Sequence, residues 1–238
     1  MSASQDSSPA NRNRILGSLP LEEYNRLAPH LEPVELELRK IIQESGDAIR
    51  YAYFPGNGVI SIVACMRDGS TVEIGVVGPE GMVGIHALLG IESTPNESMV
   101  QVPGDGMRIR IGTLLDEFRR GGALQDLTLR YLYAFMMQIS QTAACNRLHT
   151  VEERLARWLL MCHDRVEGDE LALTHDFLAM MLGVRRAGVT GAAVALQAEG
   201  YIRYSRGHVT VMDRKALEEF VCECYAAVKA EFDRALMH

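Results

Sequence analysis

The hydrophobic period of this chain changes once, near Gly112, and that change decides what it can fold into. From Pro33 to Ile111 the pattern is that of strands, clearest where Val34, Leu36 and Leu38 alternate against Glu35, Glu37 and Arg39. Such alternation marks half-buried strands. Further strand-like runs cover residues 51–54, 59–66, 72–77, 99–102 and 107–111, separated by turns rich in Gly, Asp and Pro. Asp68-Gly69 between two of these runs is a hairpin signal. Many short strands at regular spacing predict a small antiparallel barrel or roll, led by a short helix over 19–30.

After Gly112 the spacing is helical. A short helix over 113–119 and a Gly121-Gly122 break lead to a long helix over 124–146. Its apolar residues are Leu124, Leu127, Leu129, Leu132, Phe135, Met136, Ile139 and Ala143. A helix apolar over more than one face is buried on more than one side. The expected covers are its own roll and a symmetry mate, since most soluble oligomers are twofold homodimers. The next helix, 151–166, holds the only Trp, Trp158, and opens on Thr150 with Glu153 three positions on, a capping box. Arg154 and Arg157 read as its solvated side.

Residues 173–210 carry the functional reading. Thr174 can cap a helix reaching Leu182, Gly183 breaks it, and a second helix runs over 185–199 to Gly200. Small Ala179 and Gly183 allow two helices to approach, while Leu178, Leu182, Val184 and Val189 fix their crossing. This is helix-turn-helix spacing, whose second helix is built to enter a major groove. The run Tyr201 to Val211 follows at once as two strands around a turn, a wing. The candidate DNA-binding residues are Thr174, His175, Arg185, Arg186, Thr190, Arg203 and Arg206. Wing arginines suit phosphates, which position a protein without reading sequence.

Charge is consistent with this reading only locally. The chain carries −7 overall. Between Gly183 and Lys215 six basic residues face two acidic ones, a local +4, so the remainder carries −11. Electrostatic footprints are local on the scale of a Debye length of about 10 Å.

From about Leu16 to the C terminus the chain resembles the Crp/Fnr family of bacterial regulators. The resemblance rests on Gly46-Asp47, Tyr53-Phe54, Gly58-Val59, the run Gly78-Pro79-Glu80-Gly81-Met82-Val83-Gly84, the long helix, and Leu178…Gly183-Val184-Arg185-Arg186…Val189. It implies a cyclic-nucleotide-binding-like β-roll, a dimerising central helix and contact with RNA polymerase at promoters. The fold class is therefore α+β: an N-terminal antiparallel β-roll, a long dimerisation helix and a C-terminal winged helix-turn-helix. The expected divisions are a disordered tail over 1–14, a sensor-like roll over 15–120, the dimerisation helix over 121–147 and the DNA-binding domain over 148–238.

Two departures from the family narrow the function. Cyclic-nucleotide binders of this fold present a Glu to the ribose and an Arg to the cyclic phosphate. Here Ile85 stands at the Glu position and Glu97 at the Arg position, where a carboxylate would repel phosphate. Cyclic AMP is therefore not expected as the effector, and any small effector stays unidentified. In the second helix Arg186 matches the family pattern, but Ala187 and Gly191 replace its Glu and second Arg. The half-site of relatives does not carry over.

The remaining features set boundaries. The opening 14 residues are polar and without an apolar stripe, which predicts a disordered tail and no secretion signal. No window approaches about 18 consecutive apolar residues, so no membrane contact and a cytoplasmic location are expected. Five cysteines at 65, 145, 162, 222 and 224 form no disulfide framework, and Cys222-Glu223-Cys224 is too short for a zinc knuckle. No metal or cofactor is assigned. An enzyme on a metal-bearing barrel is disfavoured because His86 is the only histidine between Leu31 and Arg120. The alternative to a DNA-binding homodimer is an effector-responsive signalling module whose C-terminal helices bind protein.

Overall fold

A computed structural model describes residues 9–236. Seven strands build the roll: β1 (Glu32–Leu36), β2 (Ile41–Gln43), β3 (Tyr51–Pro55), β4 (Val59–Cys65), β5 (Thr71–Val77), β6 (Asn96–Val102) and β7 (Gly104–Arg110). They form two antiparallel sheets, ordered β1-β7-β3 and β2-β6-β4-β5. Phe54, Ile60, Val100 and Ile109, all fully buried, fill the space between them. The β4–β5 hairpin turns at Asp68-Gly69 as predicted, with Gly69 at φ +83° and Asp68 Oδ1 accepting from the Ser70 amide at 3.0 Å. Strand β2 was not expected. β4 is buried on both faces over its first five residues, because helices cover the side turned away from the roll. Two-sided burial explains why its sequence is almost continuously apolar.

The first described residues correct the expected tail. Pro9–Arg12 (α1) and Arg14–Gly17 (α2) are helical turns packed on the roll, and residues 1–8 lie outside the described residues. Asn13 between them is fully buried. Its Oδ1 caps the amides of Ile15 and Leu16, and its Nδ2 donates to Pro55 O at 3.0 Å and Gly81 O at 2.8 Å. A polar residue reads as solvated, yet here it satisfies backbone groups that burial would otherwise orphan. The expected helix over 19–30 is α3 (Leu21–Leu27) followed by a 3-10 turn.

The helical half begins with α4 (Ile111–Arg119), α5 (Ala123–Leu148) and α6 (Val151–His163). The capping box of α6 forms as predicted: Thr150 Oγ1 accepts from Glu153 N, and Glu153 Oε2 accepts from Thr150 N. The solvated reading of Arg154 and Arg157 is wrong. Both are buried, Arg154 donating to Leu182 O and Arg157 to Thr142 Oγ1 at 3.2 Å. Their helix is packed among the later helices and touches α5 through Thr142, so even its arginines point inward.

Then come β8 (Glu170–Ala172), α7 (His175–Leu182), α8 (Arg186–Ala198), β9 (Ile202–Ser205), β10 (His208–Val211), α9 (Arg214–Phe220) and α10 (Cys224–Leu236). The wing is a three-stranded sheet, ordered β8-β10-β9, one strand more than the sequence suggested. Helix α10 does not belong with the wing, as a domain over 148–238 would have it. It returns along α5, with Phe232 against Tyr131 at 6.2 Å between ring centroids. The apolar breadth of α5 thus has two covers within the chain, the roll and α10. A third strip, Leu129, Tyr133 and Met136, remains exposed.

Candidate nucleic-acid interface

Helices α7 and α8 meet at 107°, within the range of about 90–120° for helix-turn-helix pairs. Three residues mark the ends of these helices. Thr174 caps α7 by accepting from Phe177 N at 3.2 Å. Gly183 ends it at φ +62°, a left-handed conformation that glycine adopts without strain. Arg185, the expected first residue of α8, is instead its N-cap, one residue outside the helix, and offers no side-chain cap. Val189, Ala192, Ala193 and Leu196 bury one face of α8 in the core. The opposite face is open, carrying Arg186, Ala187, Thr190, Gly191 and Val194.

That open face is unusual in its smallness. A Cβ added at Gly188 or Gly191 would meet nothing within 4 Å, so packing within the protein does not require either glycine. Each costs α8 about 1 kcal/mol relative to Ala. An exposed helix that forgoes side chains there can lie close to another surface.

The wing turn is Arg206-Gly207, both at positive φ (51° and 83°), as a type I′ hairpin requires. It holds Arg206 at the exposed tip and leaves Arg203 exposed on β9. Gln197 on α8 ties the wing to the helix by accepting from Tyr204 N at 2.8 Å.

His175 lies between these parts. Its ring stacks on Tyr204 at 4.0 Å, Nδ1 is 3.1 Å from Thr190 Oγ1, and Nε2 is buried without a partner. Burial, with nearby Arg186, lowers its pKa. Thr190 Oγ1 also donates to Arg186 O at 3.1 Å, so the pattern assigns a neutral ring donating from Nδ1 to Thr190. Of the seven residues singled out in sequence, Arg185, Arg186, Thr190, Arg203 and Arg206 are exposed on α8, at its N-cap and on the wing. Thr174 serves the backbone and His175 joins α7, α8 and wing. Sequence reading missed Asp176, whose Oδ1 lies 3.4 Å from Arg186 Nε, as well as Tyr204 and Gln197. Asp176 lies in the first turn of α7, where an acid suits the helix dipole, but its partner across the turn was not readable from spacing.

In the roll, the cyclic-nucleotide position is closed. Ile85 is buried beside Ile49, Ile62, Met82 and Phe135, and the space open to a water's centre is about 20 Å³. That is room for about one water. Glu97 lies beside Glu44 and Cys65, and burial, reinforced by Glu44, raises its pKa.

Together these elements define a winged helix-turn-helix transcriptional regulator carrying an N-terminal β-roll. Residues 153–220 match the family model of the Crp-like helix-turn-helix domain. The transcriptional regulator SdrP of Thermus thermophilus is 25% identical over 200 residues, covering 74% of this chain and 91% of that protein. The fold is shared with FixK2 from Bradyrhizobium japonicum, at TM-score 0.68 and 15% identity over 81% of this chain and 98% of that one. It is also shared with TTHA1359, a Crp/Fnr-family transcriptional regulator from Thermus thermophilus, at TM-score 0.60 and 24% identity over 79% and 97%. The chain thus carries a Crp-like helix-turn-helix domain and is similar, over most of its length, to transcriptional regulators of the Crp/Fnr type.

Proposed function

We propose that this protein binds specific promoter DNA as a homodimer, without cyclic nucleotide, and regulates transcription there through contact with RNA polymerase. The carrying observation is the open face of α8, Arg186-Ala187…Thr190-Gly191…Val194, set at 107° to α7 and flanked by a basic wing tip. Arg186 at the start of α8 suits a guanine edge, and Thr190 and Val194 offer methyl groups to thymine. Arg185, Arg203 and Arg206 suit phosphates.

The homodimer reading rests on α5. Its exposed Leu129, Met136 and Ala143 lie seven residues apart, with Tyr133 and Ser140 between them, the repeat of a two-stranded coiled coil. Cyclic-nucleotide independence rests on Ile85, Glu97 and the filled roll. The unidentified effector, if the protein uses one, has to enter elsewhere or displace this packing. No single helix among the described residues is long and apolar enough to cross a membrane, and the site of action is the cytoplasm, where promoter DNA is. The protein acts by binding and is not an enzyme on this reading.

Recovery of genomic fragments bound at physiological salt tests it. The expected result is a shared, twofold-symmetric sequence with half-sites about 10–10.5 base pairs apart, or a multiple of that. Fragments spread evenly over the genome, with no shared sequence, would overturn it in favour of a module that binds protein.

A further inference from the structure

Three cysteines and a histidine, separated by up to 79 positions in sequence, meet at the end of α5. Cys145 and His149 lie one turn apart there, while Cys222 and Cys224 sit where α9 gives way to α10. One donor atom from each, Sγ or ring nitrogen, lies within 4.8 Å of all the others. The three thiols are free and buried, and form a small cluster apart from the main core.

The spacing within the cluster fits one tetrahedral ion. Zinc bonds of about 2.3 Å to sulfur and about 2.0–2.1 Å to nitrogen put two sulfurs about 3.8 Å apart, and nitrogen and sulfur about 3.6 Å apart. Cys145 and Cys222 Sγ are 3.7 Å apart, and His149 Nδ1 is 3.5 Å from Cys224 Sγ. The surroundings point the same way. His149 Nε2 lies 3.4 Å from Glu223 Oε2, and a carboxylate on the far ring nitrogen is the usual orienting partner of a metal-bound imidazole. Gln141 Nε2 donates to Cys224 Sγ at 3.1 Å, a bond suited to a thiolate.

We infer that Cys145, His149, Cys222 and Cys224 bind one zinc ion as a closed structural site. Three thiolates and an imidazole in tetrahedral array are a zinc donor set. The donors surround one point, whereas the ligands of an iron–sulfur cluster are shared among several irons. With four protein ligands no position is left for substrate, so the ion holds structure. It fastens the link that leaves α9 to the end of α5, beside Thr150 where α6 begins. The DNA-binding unit is thereby held to α5 at both of its ends. The inference does not depend on what that unit binds.

The signal in sequence was present but dispersed: Cys145-x-x-x-His149 places two ligands on one helical face, far from the Cys-x-Cys that completes them.

The test is metal content of the full-length chain, purified under reducing conditions without chelator. One zinc per chain is expected. After exchange for cobalt(II), the visible bands of a tetrahedral ion and the near-ultraviolet band of thiolate charge transfer should appear. Cys224→Ser and His149→Ala should lose the metal. Since these variants can unfold, His149→Cys serves as the rescue: it should keep one metal and shift the cobalt spectrum toward four-thiolate ligation. A folded, fully reduced wild-type chain that takes up no zinc or cobalt when either is added would overturn the inference. So would full metal retention in both Cys224→Ser and His149→Ala.

Discussion

Trp158 of α6 donates its indole N–H to Glu73 Oε1 at 2.9 Å, and this bond joins the DNA-binding unit to strand β5 of the roll. Ser61 donates to the other oxygen, Oε2, at 2.5 Å, and also contacts Gln101 Oε1. One hydroxyl proton cannot serve two acceptors at once. A proton on Glu73 resolves this: Glu73 then donates to Ser61, and Ser61 to Gln101. Desolvation indeed dominates here, pushing the Glu73 pKa up to about 7, against smaller opposing effects of Ser61, Trp158, Arg157 and Arg165.

A pH dependence follows. Glu73 in the fold keeps its proton to about pH 7, while in the unfolded chain it releases it near 4.5. The folded state therefore binds more protons between those values, and stability falls as pH rises through that window, then levels off. At about 1.4 kcal/mol per pH unit the loss is on the order of 3 kcal/mol. Glu73→Gln keeps an acceptor for Trp158 and carries no charge. Urea midpoints at pH 5 and pH 8 should differ less in Glu73→Gln than in wild type, with the variant the more stable at pH 8. An unchanged difference would show that Glu73 is ionised in the fold at both pH values.

The dimer interface is predicted on the exposed strip of α5. Leu132, although apolar, packs against the chain's own core, whereas Leu129 and Met136 are about half exposed. Leu129→Glu with Met136→Glu should give folded monomers in sedimentation, and operator affinity should fall by about tenfold or more as the second half-site is lost. A variant that still sediments as a dimer would place the interface elsewhere.

Calorimetric titration with cyclic AMP and cyclic GMP at micromolar concentration should show no binding. The reason is steric as well as electrostatic: Ile85 and its neighbours already fill the roll. Saturable heat, with a matching gain in DNA affinity, would contradict this.

How much of this was legible in the sequence varies by the kind of force involved. Periodicity located most of the strands and helices, because burial on one face leaves a period. The capping box at Thr150 and the turns at Gly69 and Gly183 were legible, since each needs a specific residue at one position. Polar residues that bury themselves were not. Asn13, Arg154 and Arg157 carry the chemistry of surface residues, and only tertiary partners such as Pro55, Leu182 and Thr142 explain them. The same holds for the Cys145 cluster and the pair of Arg186 with Asp176, whose members meet only after folding. The seven interface candidates came from local spacing. Local spacing could not tell Thr190, which faces outward, from His175, which turns inward to support it.

The central claim, that α8 reads base sequence, is tested most directly by Arg186→Ala. The measurement is affinity for the recovered operator and for random DNA across a salt series, beside Arg206→Ala. Arg186 is exposed at the first turn of α8, its pair with Asp176 is open to solvent, and such surface pairs are worth little, so it is available to a guanine. A bidentate contact discriminates by roughly 1–3 kcal/mol. Arg186→Ala should lower operator affinity by about that amount and leave random-DNA binding nearly unchanged. Arg206→Ala should weaken both alike and reduce the salt slope by about one per monomer. If Arg186→Ala weakened operator and random DNA equally, with the preference intact, α8 would not be reading bases through Arg186.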